Sequence, residues 1–295
     1  MAAASPTSML ASTTHDTKRS EDVRARLLVL AEIPGDFAAA ADRWHALAER
    51  HWGGVEADRN LEWLLFQTLV GAHPLPADRA WPFVEKAMRE AKVHTSWLAP
   101  NAEYEDAAHA VVDGLLADDA FLDDLDAFVA PLVEPGWTNA LAMQALKLTA
   151  PGVPDVYQGT ELWDLSLVDP DNRRPVDYDE RRRQLADGSH PKLRLTRAAL
   201  HLRADGAYAP VTTDGEAKEH VIAFTRGERT ATVVPRCPLT LARRGGFRTT
   251  TVELPSGDWT DAITGATVSG GAVAVATLLQ AFPVAVLERD GRAGG

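Results

Sequence analysis

Apolar residues recur at helical spacing through the first half of the chain and in short β-branched runs through the last third. After Met9-Leu10, which reads as a strand end, Val23, Leu27 and Leu30 set out a first helix. Ser20 is its N-cap, and Glu21 and Asp22 suit the positive end of its dipole. Pro34-Gly35 breaks that pattern. Phe37, Ala40, Ala41, Trp44, Leu47 and Ala48 form the next face, and Leu61, Leu64, Leu65, Thr68 and Leu69 another, ended by Gly71 and Pro74. Trp81, Val84, Met88 and Ala91 follow Pro76 at a first-turn position. Two more helices are predicted over about 103–116 and 119–133. Five helices in a row are too many for an ordinary strand-to-strand crossover, so they predict an inserted helical subdomain.

Beyond a helix at about 138–148, Pro151-Gly152 stops the pattern, Val153 to Tyr157 reads as a short strand, and Gly159 permits a sharp turn after it. A helix at about 191–204 carries two apolar rows, Leu193, Thr196, Leu200 and Leu195, Ala199, Leu202. The pattern then changes to runs at 221–225, 230–234, 249–254, 272–279 and 283–288, separated by turns such as Arg226-Gly227 and Ser256-Gly257-Asp258. These predict an antiparallel sandwich of about eight strands.

Composition narrows the function classes. With 295 residues and 45% hydrophobic content the chain can bury a sizeable core. A net charge of -12 argues against nucleic acid and anionic membrane as partners, and suits a neutral substrate. Cys237 is the single cysteine, which excludes an internal disulfide and is compatible with a cytoplasmic location. No apolar run approaches the roughly 20 residues of a membrane helix. Met1-Ala2-Ala3-Ala4-Ser5-Pro6 lacks the basic and apolar regions of a signal peptide. There is no internal repeat, phosphate loop, Gly-x-Ser-x-Gly elbow or metal-ligand cluster, so neither cofactor nor metal is expected.

The candidate chemistry lies at Thr14-His15-Asp16-Thr17-Lys18-Arg19, on a strand-to-helix loop. In a (β/α)₈ barrel such loops carry the catalytic groups. An isolated His-Asp pair reads more readily as a capping Asp beside a surface His. The longer run through Ser20-Glu21-Asp22-Val23-Arg24-Ala25-Arg26 resembles the last conserved catalytic region of the alpha-amylase superfamily, in the form found in maltooligosyltrehalose synthases. Those glucosylmutases turn the reducing end of a maltodextrin into a trehalose unit. Three further stretches are similar to the same family: Met88-Arg89-Glu90-Ala91-Lys92 with Thr95-Ser96-Trp97 and Tyr104-Glu105; Pro151-Gly152-Val153-Pro154 with Tyr157-Gln158-Gly159-Thr160-Glu161; and Ser166 to Tyr178.

The resemblance implies an α/β fold: the C-terminal portion of a (β/α)₈ TIM barrel, about strands 7–8, with a large helical insertion, followed by an antiparallel β-sandwich domain. The boundaries expected are 1–35 for barrel strand 7 and its helix, 36–135 for the insert, 136–204 for the barrel helix, strand 8 and last helix, and 205–295 for the sandwich. It implies Asp16 as the carboxylate that grips ring hydroxyls beside the reacting centre, with His15 a hydroxyl ligand next to it. Lys18, Arg19, Lys92, Ser96, Trp97, Tyr104, Tyr157 and Gln158 are the implied maltooligosaccharide contacts.

For the segment 92–105, aromatic faces and hydroxyls together are the mixture that binds sugar. The competing expectation is that Trp97 is core and Tyr104 lies on the inner face of its helix. For Arg173, Arg174 and Asp177, a salt-bridged surface loop is favoured over substrate contact. The family's nucleophilic Asp and acid/base Glu are expected upstream of this chain, on a missing N-terminal barrel portion in the same or a separate chain. Alternatives are a split-enzyme subunit, a non-catalytic carbohydrate-binding remnant and another alpha-amylase-type glucan hydrolase or transferase.

Overall fold

A computed structural model describes residues 7–202 and 204–289. The segment 1–6, read above for a leader, lies outside the described residues. Two compact units are formed: His15–Glu134 with Leu165–Pro175, and the remainder of the chain. Among the described residues no helix is long and apolar enough to cross a membrane.

The first unit is helical. Helix α1 (Glu21–Leu27) runs into a 3₁₀ turn and is followed by α2 (Pro34–Ala48), α3 (Arg59–Gly71), α4 (Ala77–Ala91), α5 (Ala102–Leu116) and α6 (Asp119–Val129). Side chains fix the starts of three of these helices. Asp58 accepts from the N–H groups of Asn60 and Leu61, Asn101 from Tyr104, and Asp118 from Ala120 and Phe121. The core centres on fully buried Trp44, which meets Phe66, Phe121 and Phe128 edge-on at 5.4, 5.9 and 5.4 Å between ring centroids. Its indole N–H donates to Asp124 at 2.7 Å, so the ring is buried without an orphaned donor.

The five predicted insert helices are all present. The boundary differs from that expected at residue 35, because α1 packs on α3: a Cβ at Gly71 would lie 2.9 Å from side-chain carbons of both Val23 and Leu27. The segment 165–175 also joins this unit.

In the second unit, β1 (Met9–Leu10) and β2 (Val153–Pro154) pair in parallel, Met9 opposite Val153 and Leu10 opposite Pro154. The strand expected to reach Tyr157 is thus only two residues long. Helix α7 (Val133–Thr149) precedes β2, and α8 (Tyr178–Asp187) and α9 (Pro191–Leu202) follow it. The rest is β3 (Tyr208–Pro210), β4 (Thr213–Asp214), β5 (Val221–Arg226), β6 (Thr230–Pro235), α10 (Pro238–Arg243), β7 (Thr251–Asp261), β8 (Thr267–Ala274), α11 (Val275–Leu278) and β9 (Ala285–Arg289).

These strands do not form the expected sandwich. They make one antiparallel sheet in the order β3-β5-β6-β9-β7-β4, with β8 also on β7. Strands β3 and β4 are two residues apart in sequence yet stand at opposite ends of that order, so the sheet curls back on itself. The Val211 N–H donates to Ala223 O at 3.0 Å and the Glu253 N–H to Thr212 O at 2.9 Å, one bond to each edge. A bulge between Leu254 and Asp258 bends β7 to allow this.

Val221, Ala223, Val233, Leu254, Trp259 and Leu287 fill one core of the sheet. Val234, Val286 and Ile263 pack instead with Leu141, Ala142 and Ala145 of α7 and Leu195 of α9. Two helices therefore cover the face that a second sheet would have covered, and β6 is buried on both sides.

Candidate active site

His15 and Asp16 sit on a turn that leads into α1, and both side chains are exposed. The turn is held from a distant segment. The Asn172 side-chain amide donates to His15 O at 2.6 Å, the Ser20 N–H to Ser166 O at 2.9 Å, and the Val168 N–H to Lys18 O at 3.1 Å. Arg19 and Leu167 thereby form an isolated antiparallel bridge.

Asp171 organises that distant segment. Its carboxylate accepts the Leu167 N–H at 2.8 Å and both arms of the Arg79 guanidinium at 2.9 Å each, while Arg79 also donates to Leu165 O at 2.9 Å. Burial alone would raise the Asp171 pKa. The hydrogen bonds from Arg79 and Leu167, with the charges of Arg79 and Arg174, outweigh it and hold the carboxyl below its ordinary range. Arg173 pairs with Asp169 at 2.5 Å and Arg174 with Asp171 at 3.3 Å, while Asp177 caps α8 through the Glu180 N–H. The salt-bridged loop favoured from sequence is what the structure has. Arg79, Asp171 and Asn172 were not singled out by sequence, which held only the run Asp169-Pro170-Asp171-Asn172 as a hint.

Lys18 and Arg19 point in different directions from the turn. Lys18 Nζ donates to Glu90 at 2.6 Å in the last turn of α4, where both groups remain partly exposed. Arg19 goes inward: it donates to Thr68 Oγ1 at 2.8 Å and Leu64 O at 3.3 Å and lies over the Phe83 ring. Burial lowers its pKa. Arg19, expected to touch substrate, thus has three partners within the helical unit. A cleft of about 380 Å³ runs beside this place, lined by Lys18, Lys86, Glu90, Ala91 and Val168 among others.

The segment 92–101 begins where α4 ends. Lys92 is exposed in the left-handed conformation that stops the helix, with φ at 58°. Ser96 Oγ accepts the Ala99 N–H at 3.0 Å and so closes the turn that displays Trp97. Trp97 is 54% exposed, with the Arg89 guanidinium 4.8 Å from its ring centre. Tyr104 is only 6% exposed, packs against His94 and Trp52, and donates its hydroxyl to Asp58 at 2.7 Å. The two aromatics thus separate: Trp97 keeps an exposed indole, and Tyr104 lies on the inner face of its helix.

Glu105 locks this segment from beneath. Arg89 donates to both its oxygens, at 2.9 and 2.7 Å, and Thr95 Oγ1 to one of them at 2.5 Å. The Arg89 hydrogen bonds, opposed by partial desolvation and reinforced by Thr95, lower the Glu105 pKa from 4.5 to about 2. A carboxylate whose folded pKa is depressed stabilises the fold above its unfolded pKa and loses that contribution as pH falls to the folded value. The melting temperature of Glu105→Gln should therefore lie below that of the parent at pH 7, and the gap should close between about pH 4.5 and pH 2. Thermal melts of the two proteins across that range check it, and a gap that persists unchanged at pH 2 would refute the assignment.

Tyr157 and Gln158 lie in the other unit, on the turn after β2. Tyr157 is partly buried, and its carbonyl accepts from the N–H and hydroxyl of Thr160 at 3.0 and 2.7 Å. Gln158 is exposed. Arg181 of α8 braces the same turn, donating to Gly159 O at 2.6 Å and Glu161 at 3.1 Å.

No family model matches the chain. A putative maltooligosyl trehalose synthase of Mycobacterium tuberculosis is 44% identical over 299 residues, taking in 97% of this chain and 38% of that protein. The solved maltooligosyltrehalose synthase of Arthrobacter ramosus has a TM-score of 0.87 at 39% identity, covering 98% of this chain and 39% of that one. A hypothetical maltooligosyl trehalose synthase of Sulfolobus tokodaii has a TM-score of 0.74 at 31% identity, covering 95% and 38%. The chain spans little more than a third of the length of the relatives it matches. By sequence and by fold it belongs with the maltooligosyltrehalose synthases, as the counterpart of a C-terminal part of them.

Proposed function

We propose that this chain supplies the C-terminal share of an intramolecular transglucosylase, which converts the reducing-end α-1,4 linkage of a maltooligosaccharide into an α,α-1,1 linkage. The nucleophile and the acid/base lie on the part of the enzyme outside this chain, so the chain alone is inactive. Retaining chemistry uses that pair to form and resolve a glycosyl-enzyme. Asp16 is the third carboxylate, holding ring hydroxyls as the sugar flattens towards an oxocarbenium-like state, and His15 binds a hydroxyl beside it. The released glucose turns and attacks through its own anomeric hydroxyl. Water must be kept away meanwhile.

One observation carries the proposal beyond family likeness. Lys18, two residues after Asp16, reaches Glu90 in the last turn of α4, and Trp97 stands on the loop that leaves that same helix end. The His15-Asp16 turn and an available indole face are therefore tethered to one end of one helix, suited to a sugar between them. Lys18, Lys92, Ser96 and Trp97 form the lid side of this site, and Tyr104 supports it from within. Arg19 anchors the turn through Thr68 and Leu64.

In a complete synthase carrying this segment, Trp97→Ala should raise the ratio of free glucose to trehalose-ended product. The stability cost should be small, about 0.5–1 kcal/mol, the size of an exposed cation-π contact. A core tryptophan would instead cost about 3–5 kcal/mol and leave the ratio unchanged. Product analysis with a melting curve decides between them, and an unchanged ratio would sink the lid role.

A further inference from the structure

We infer that Arg79, Asp171 and Asn172 form a positioning clamp that sets where the Asp16 carboxylate stands; this rests on the role proposed for Asp16. The turn 15–17 exposes both functional side chains, so their placement depends on how the backbone beneath them is fixed. The Asn172 amide pins His15 O at 2.6 Å, and the adjacent Asp171 is held by the Arg79 fork. Arg79 sits in the first turn of α4, the helix whose last turn takes Lys18 through Glu90. The first turn of α4 thus grips the turn through Asp171-Asn172, while the exposed Lys18–Glu90 pair at its last turn adds little.

Arg79 also donates to Leu165 O, while Asp171 accepts the Leu167 N–H, so one ion pair fixes the start and the end of the segment that pairs with residues 18–20. A planar fork matched to a buried carboxylate sets direction as well as distance, which an ammonium does not. Exposed surface ion pairs do not act in this way. Displacement of a reacting group by about 1 Å can cost roughly a hundredfold in rate, so a clamp acting on backbone geometry is felt in turnover before it is felt in binding. None of the three residues need touch the sugar.

The test uses the Arthrobacter ramosus synthase with its matched part replaced by this chain, and the variants Asn172→Ala, Arg79→Lys and Asp16→Asn. Asn172→Ala, which removes one partly exposed side-chain bond, should lower kcat for maltopentaose about ten- to a hundredfold, with KM and melting temperature nearly unchanged. Arg79→Lys keeps the charge and should do the same, with amide exchange at Ser20 and Val168 quickened about tenfold relative to α3. Both variants within twofold of the parent, while Asp16→Asn is inactive, would overturn the clamp and leave the role of Asp16 standing. Loss of kcat only in proportion to loss of folded protein would also overturn it, as a merely structural contact. A fully active Asp16→Asn would instead remove the functional proposal, and the clamp with it.

Discussion

Asp16→Asn in a complete synthase carrying this segment should lower turnover about a thousandfold, roughly 4 kcal/mol of barrier, while the melting temperature stays near that of the parent. The substitution is nearly isosteric and removes a charge from an exposed turn. The fold has little to lose there, because the backbone of the turn is secured by Asn172, Ser166 and Val168 and not by the Asp16 side chain. On the role proposed for Asp16, what would be lost is the anion that favours positive charge developing on the sugar ring, an interaction made chiefly in the transition state, so kcat should fall more than KM rises. Steady-state kinetics with maltopentaose supplies the check. A loss below about tenfold, roughly 1.4 kcal/mol, would remove Asp16 from the catalytic set.

Much of the fold was legible because helices announce themselves locally. The apolar stripes of α2 to α5 located those helices, while the caps at Asp58 and Asn101 became visible only in the structure. Helix α8 was missed because its sequence, Tyr-Asp-Glu-Arg-Arg-Arg-Gln-Leu-Ala-Asp, has no apolar stripe. It is held by the Asp177 cap and by Asp-Arg and Glu-Arg pairs one turn apart. The curled sheet was misread as a sandwich for a related reason. Alternation shows that a strand has a buried face, but whether a second sheet or the helices α7 and α9 cover it depends on contacts far along the chain.

The site divides along the same line. The His15-Asp16 pair stood out through a contiguous run of residues, whereas the clamp joins positions 15, 79, 171 and 172, and no local pattern records that Arg79 meets Asp171. Composition left Trp97 and Tyr104 open between sugar binding and core packing, since each is an aromatic beside a helix start, and only the family resemblance favoured sugar binding for both. The structure separates them through partners: Arg89 beneath an exposed indole, and Asp58 on a buried hydroxyl.

The second large effect concerns the chain as a whole. Because the nucleophile and the acid/base are placed outside it, the isolated 295-residue protein should neither hydrolyse nor isomerise maltopentaose. Without a group to attack the anomeric carbon and another to protonate the leaving oxygen, Asp16 and His15 have no developing charge to stabilise. Joined to the missing portion of a relative, the same residues should regain a function. The Arthrobacter ramosus synthase offers that partner, since this chain matches 39% of it at a TM-score of 0.87.

The decisive measurement is therefore product formation from maltopentaose by the isolated chain and by the Arthrobacter ramosus synthase whose matched part is replaced by this chain. No product from the chain alone, and trehalose-ended maltooligosaccharide as the main product of the chimaera, is the expected result. A folded chimaera that releases only glucose and shorter maltodextrins, or an isolated chain that makes the α,α-1,1 product unaided, would contradict it.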